Sequence, residues 1–320
     1  MTVSGRGFGH GKVILVGEHA VVYGHPAVAT GISLGISARA HPGAGRLFAP
    51  AWGLEAVAGD GTDCGRALAA IIASLDARGL DFMVDAKLPS GAGLGSSAAL
   101  AVAVARAAAA ATGRPHTDPA IDRAVAEAEK VFHGNPSGID AAASLSGRTG
   151  RFTRREGWRP LRVERDLVLC VGLSGRPRGT GAQIGAVAHL RERGPAADEM
   201  LADLGALAEE AVSALARADV AGLGGVFTAA HTLLVRLHLG SPEIDRLVEE
   251  ARSAGAIGAK LTGAGGGGAV VALAPEREPD VLACWRRAGF GGFLAKVQAA
   301  PGEAAAGSPE VADIESRHVE

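Results

Sequence analysis

The stretch LPSGAGLGSSAAL at 88–100 leaves this chain few ways to fold. Residues 80–88 read as a strand running into Pro89 and Ser90, and the glycines at 91, 93 and 95 permit a sharp bend. An alanine-rich helical run then opens at Ser97 and continues to Ala111, where Gly113 and Pro115 close it. Strand, glycine loop and helix N-terminus, in that order, make a site for phosphate. Glycines let several backbone N–H groups approach anionic oxygens at the positive end of the following helix. No Gly-Lys-Ser/Thr ends the loop, which runs Gly95, Ser96, Ser97, so the P-loop pattern is excluded. The bland alternative is a glycine-rich turn with Ser97 as an ordinary N-cap.

At 320 residues the chain exceeds the usual single-domain size, and two domains with their own cores are expected. Lysine plus arginine number 32 against 34 acidic residues, which leaves no basic field for nucleic acid or an anionic membrane surface. A small, neutral or anionic ligand fits better. Cys64, Cys170 and Cys284 lie far apart and form neither a C-x-x-C pair nor a disulfide framework, so a reducing cytoplasm is expected. The first apolar run is broken by Gly17, Glu18 and His19, unlike an export signal, and 98–111 is too short and too weakly apolar to span a bilayer.

Residues 13–16 form a β-favouring run and Ala20–Tyr23 a second one after the Gly-Glu-His interruption. A helix is expected from Asp118 as N-cap and Pro119 at N1 to a stop at Gly134. Ile121, Val125, Ala128 and Phe132 make its buried stripe, with Glu129 bordering that face and Arg123, Glu127 and Lys130 pointing away. An arginine-rich stretch over 151–165 marks the domain boundary, giving halves of 1–165 and 166–300. Beyond it, 167–173 reads as a strand, 183–193, 197–217, 220–237 and 242–254 as helices, 257–262 and 269–273 as strands, 281–288 as a helix and 292–298 as a strand. Residues 301–320 show no periodicity and read as a mobile tail.

The chemistry sits in four segments. HGNPSGID at 133–140 is an elaborate turn through Pro136 and Gly138 with a carboxylate at its exit. Alone, Ser137 and Asp140 would be a capping box for a short helix over 141–145. Opposite a phosphate loop, a fixed carboxylate is what a hydroxyl-directed kinase uses as base. Lys12 alone would be a solvated strand-end lysine; near Asp140 it would keep the aspartate ionised and offset charge on a transferring phosphoryl group. Ser97 and Glu129 suit Mg²⁺, which takes few protein ligands beyond water and phosphates, although Glu129 also reads as a rim residue satisfied by solvent or arginine. Glu18 and His19, at a turn after the first strand, suit a polar substrate or form a structural hydrogen-bonded pair. LTGAGGGG at 261–268 has too many glycines for an ordinary strand, so something must approach its backbone, the bland option being the phosphate loop itself. His10, His25, His231 and His238 form no metal-ligand constellation, and zinc is not suggested. The set points to ATP-dependent phosphoryl transfer.

In order and spacing three of these segments resemble the three signature motifs of the GHMP small-molecule kinases, named for galactose, homoserine, mevalonate and phosphomevalonate kinases. GKVILVGEHAVVYGHPAVA at 11–29 is similar to the first motif, LPSGAGLGSSAAL at 88–100 to the second and KLTGAGGGGAVVAL at 260–273 to the third. The resemblance implies an α+β, two-domain fold, its N-terminal half like ribosomal S5 domain 2, its C-terminal half ferredoxin-like, and the active site in the cleft between. GEHAVVYG and HGNPSGID resemble the mevalonate-directed branch. By resemblance, Asp140 deprotonates the acceptor hydroxyl and Lys12 assists. Ser97 and Glu129 would hold Mg²⁺, while Gly91, Ala92, Gly93, Leu94, Gly95, Ser96 and Ser97 would wrap the ATP phosphates. Glu18 and His19, with Arg178 and Thr180 of GRPRGT, would face the substrate. The implied ligands are ATP and mevalonate, and the implied product is 5-phosphomevalonate for isoprenoid precursor synthesis; a homodimer stays open as the assembly. His25 departs from a lysine common in that branch, and 41–65 carries no signature for reading the nucleotide base. The rivals are a related kinase for phosphomevalonate, a sugar or another hydroxy acid, and an inactive nucleotide-binding regulator. Intact Lys12, Glu129 and Asp140 argue against the last.

Overall fold

Alternate glycines decide how the first strand packs. In β1 (Gly5–Val16), a Cβ on Gly5, Gly7 or Gly9 would lie 2.1, 2.1 and 2.0 Å from the carbonyl oxygens of Ala107, Ala103 and Ala99. Only a strand face without side chains lets the alanine-rich helix come so close. The computed structural model describes residues 4–115, 119–176 and 180–301. After β1 come a 3₁₀ turn (Ala20–Tyr23), β2 (Ala27–Pro42), β3 (Arg46–Ala49), β4 (Leu54–Val57), α1 (Asp63–Leu75), β5 (Leu80–Ala86), α2 (Ser96–Ala111), α3 (Pro119–His133), α4 (Ile139–Ser146), β6 (Thr149–Thr153) and β7 (Gly157–Pro160). The chain continues through β8 (Leu167–Leu173), α5 (Thr180–Glu192), α6 (Ala196–Ala216), α7 (Val220–Arg236), α8 (Pro242–Ser253), β9 (Gly258–Thr262), β10 (Ala269–Leu273), α9 (Glu278–Arg287) and β11 (Gly291–Val297).

The fold is α+β, with two sheets. In the first, β2 is the spine. β1 runs antiparallel along nearly its whole length, and β6 and β5 share its other edge, giving the order β4-β3-β5-β2-β6-β7. On one face α2 lies across β1 and β2, flanked by α1 and α3, and the apolar side chains of Leu68, Ile71, Ile121 and Val125 close that core. The second sheet, β11-β8-β10-β9, is antiparallel throughout. Trp285 of α9 is wholly buried against it, its indole N–H donating to Leu247 O at 2.8 Å. A bridge between Val163 and Ala300 ties the connecting segment to the end of the second half.

Several expectations need correction. Ala20–Tyr23 is a 3₁₀ turn, because Gly17, His19 and Gly24 all have left-handed φ and reverse the chain on either side of it. The long strand β2, helix α1 and the β6–β7 hairpin were not among the expected elements, although Leu68, Ile71 and Leu75 give α1 a helical stripe. Helix α1 is capped by Thr62, whose hydroxyl accepts from Gly65 N. Asp118, the expected N-cap of α3, lies outside the described residues, as do 302–320 of the expected tail. Gly134 does follow α3 with φ +65°. Among the described residues no helix is long and apolar enough to cross a membrane, and the three cysteines form no disulfide.

Candidate active site

Lys12 sits in β1 beside a register shift at His10/Gly11, and it is buried, contrary to a solvated strand-end lysine. Its ammonium lies 2.9 Å from Asp140 Oδ1 and donates to Gly93 O at 3.3 Å, while its backbone N–H donates to Leu94 O at 2.8 Å. One residue thus joins the strand, the glycine loop and the carboxylate. Asp140 is the second residue of α4, whose N-cap is Gly138 at φ +92° with no side-chain cap, so the Ser137 capping box is not formed. Its side chain keeps 23% exposure and faces the cleft.

The loop is left-handed at Gly91, Gly93 and Gly95, and Gly95 is the N-cap of α2, so Ser97 is not a cap. A Cβ at Gly95 would reach 3.4 Å from Lys12 Cε, at a φ that side chains rarely adopt. The first N–H groups of α2 lack intrahelical acceptors and lie beside the loop, an arrangement suited to an anion. Ser97 Oγ is 3.0 Å from His133 Nε2, and the same nitrogen is 3.9 Å from Glu129 Oε2. Glu129 is buried rather than at a rim. His133, which brings Ser97 and Glu129 together, was missed by sequence reasoning, although Glu129 and His133 stand four residues apart on one helix face.

Glu18 and His19 do not pair with each other. The Glu18 carboxylate is ion-paired with Lys260 of β9, both side chains fully buried. Burial pushes the Glu18 carboxyl up and the Lys260 ammonium down from their ordinary values, each shift opposed by the partner's charge. His19 Nε2 donates to Ala264 O at 2.8 Å. The hydroxyl of Thr262 accepts from Ile14 N at 3.1 Å and donates to Ile14 O at 3.0 Å. The third glycine-rich segment therefore holds the first motif, not the phosphate loop as the bland reading had it. Lys260 was not singled out from the sequence, and its one signal was a lysine inside an otherwise apolar strand.

A cleft of about 650 Å³ gathers part of this set, while residues 91–97 of the glycine loop are not among its lining residues. Lys12, Glu18, His19, Glu129, His133, Asp140, Gly263 and Ala264 line it. So does the exposed Arg154, an arginine that the sequence hid in a basic stretch. Arg178 lies outside the described residues; Thr180 opens α5, whose Gly181 and Ile184 also line the cleft. His25 packs against Gly205 of α6 instead, where a glycine Cβ would come within 2.9 Å of it.

Fold and cleft define a two-sheet α+β chain with a helix-capping glycine loop beside a buried lysine that pairs with a part-exposed aspartate. The model for the N-terminal domain of the GHMP kinases matches residues 64–148 and that for the C-terminal domain matches 211–290. The chain belongs to the GHMP kinase family. The mevalonate kinase of Aeropyrum pernix is 35% identical over 301 residues, covering 88% of this chain and 91% of that one. The mevalonate kinase of Pyrococcus horikoshii is 34% identical over 316 residues, covering 87% and 91%. The crystal structure of L. major mevalonate kinase in complex with R-mevalonate matches with a TM-score of 0.83 at 26% identity, over 93% of this chain and 97% of that one.

Proposed function

We propose that this chain is a mevalonate kinase, transferring the γ-phosphoryl group of ATP to the hydroxyl of mevalonate that becomes the phosphate ester of 5-phosphomevalonate, for isoprenoid precursor synthesis in the cytoplasm. The observation that carries the reading is the Lys12–Asp140 couple at the cleft, in a chain that matches mevalonate kinases over most of its length. In this reading 1–165 and 166–300 are the two domains, and the acceptor binds between them.

The Asp140 carboxylate accepts the hydroxyl proton as the new P–O bond forms and the bond to the β-phosphate oxygen breaks, releasing ADP. Lys12 holds that carboxylate and offsets charge on the moving group. The loop from Gly91 to Ser97 binds the phosphates through backbone N–H groups at the start of α2. Catalysis is then positioning and electrostatics rather than covalent chemistry.

The donor set suits Mg²⁺. Ser97 Oγ and Glu129 Oε2 lie 3.0 and 3.9 Å from one nitrogen of His133, so both oxygens converge on one region. Among the described residues no cluster of three or more histidine, cysteine or acidic groups makes a dedicated metal cage. A hydroxyl and a carboxylate completed by phosphates and water are what this ion takes. When bound, it supplies charge neutralisation on the phosphates. We assign Glu18, His19, Arg178 and Thr180 to the substrate end, with Arg154 as the rim cation that a carboxylate-bearing acceptor calls for.

An ADP-release assay with mevalonate, phosphomevalonate, galactose and homoserine tests this. Mevalonate is expected to be strongly preferred. Preference for another acceptor, or nucleotide binding without turnover on any of them, would overturn the proposal.

A further inference from the structure

The contact between β1 and α2 is smooth. Gly5, Gly7 and Gly9 offer α2 no side chains to interdigitate with, and the helix answers with alanines. Interiors are ordinarily registered by interdigitating side chains, and these three glycines contribute none. Arg106 is the one charged residue of α2, and it supplies what the smooth contact lacks.

Its guanidinium is part-buried among three elements. One terminal nitrogen donates to Phe8 O of β1 at 2.7 Å, and the other donates to Leu145 O of α4, also at 2.7 Å. Leu145 O is among the last carbonyls of α4, which have no intrahelical donor, and a cation there also complements the negative end of the helix. Burial lowers the guanidinium's pKa, with the charge on Asp122 of α3 acting the other way, so the group is held there at some cost. Beside it, His10 Nδ1 donates to Ile32 O at 3.1 Å, and the ring lies where a Cβ on Gly147, just past α4, would come within 2.5 Å.

The three elements that Arg106 joins are those that carry the reacting groups. Lys12 is on β1, the phosphate loop and Ser97 lead into α2, and Asp140 is on α4, whose eight residues span only about 12 Å. A shift at one end of so short a helix therefore reaches the other. We infer that Arg106 is a positioning residue for phosphoryl transfer, fixing α4 against β1 and α2 so that Asp140 is held at Lys12 and faces the glycine loop. The inference rests on the reading of Lys12 and Asp140 as the reacting couple.

The test compares full-length wild type, Arg106→Met and Arg106→Lys in steady-state turnover of mevalonate and MgATP, at a temperature where circular dichroism shows each fully folded. For Arg106→Met, kcat is expected to fall at least about 10-fold while both KM values stay within about 3-fold, because a small misplacement of reacting groups is enough. Arg106→Lys keeps a cation able to reach one carbonyl and should recover part of the loss. A folded Arg106→Met with wild-type kcat and only a lowered Tm would show a purely structural role and overturn the inference. If Arg106→Met does not fold, wild-type kcat in Arg106→Lys, despite the lost second bond, overturns it in the same way. A wild-type protein inactive on mevalonate would instead sink the functional reading.

Discussion

Lys12 Nζ and Asp140 Oδ1 are 2.9 Å apart, yet the two side chains differ sharply in exposure, 1% for the lysine and 23% for the aspartate. The cation is fixed by strand and loop, and the carboxylate is open to a ligand. In the proposed reaction Asp140→Asn removes the proton acceptor and keeps the shape. Its kcat should fall by about 10²- to 10⁴-fold, with nucleotide affinity, read by fluorescent-analogue titration, unchanged. Turnover near that of wild type would remove Asp140 from the base role.

A second couple, Glu18 with Lys260, is fully buried and joins the first half of the chain to the second. Lys260→Met leaves a fully buried carboxylate without its counter-charge and should lower unfolding free energy by about 3–5 kcal/mol in urea titration. The double variant Glu18→Leu, Lys260→Met should recover most of that loss, since a well-packed apolar pair is often no worse than a buried ionic one. A double variant as unstable as the single one would mean that Glu18 is not the group stranded by losing Lys260.

Local signals were legible in the sequence and long-range ones were not. The glycine loop, the alanine-rich helix and the strands and helices of the second half lie close to where periodicity and turn residues put them. The contact of Lys12 with Asp140 follows no local pattern, and it was expected from the likeness of their segments to known motifs rather than from spacing. The Glu18–Lys260 pair spans 242 positions, and no local pattern reports such a contact. The alternating glycines at 5, 7 and 9 were a readable sign of close approach, but only the partner helix gives them meaning. The strand expected over Ala20–Tyr23 failed because apolar composition says nothing about left-handed residues on either side.

The Ser97–His133–Glu129 cluster gives a metal-dependent expectation. Ser97→Ala removes one oxygen and leaves the glycine loop in place. The Mg²⁺ concentration for half-maximal rate should rise about 3- to 10-fold, with the KM for mevalonate nearly unchanged, because in the proposed site a metal completed mainly by phosphates and water would lose only one of its few protein ligands. An unchanged Mg²⁺ titration would remove Ser97 from the metal site.

Stability should depend on acid through a histidine to which the proposed reaction assigns no role. His231 of α7 is buried near Lys260, and burial first, then the charges of Lys260 and Arg252, lower its pKa from 6.5 to about 4. His10 is shifted in the same direction, also chiefly by burial. Between those two pH values the unfolded chain binds a proton at His231 that the folded chain excludes. The unfolded state is therefore favoured as pH falls, and stability that is complete above about pH 6.5 is lost progressively down to about pH 4. The loss from His231 is on the order of 3 kcal/mol. His231→Gln removes the titrating ring, so urea unfolding across that window should show a flatter pH dependence than wild type. An identical slope in both proteins would place the acid sensitivity elsewhere.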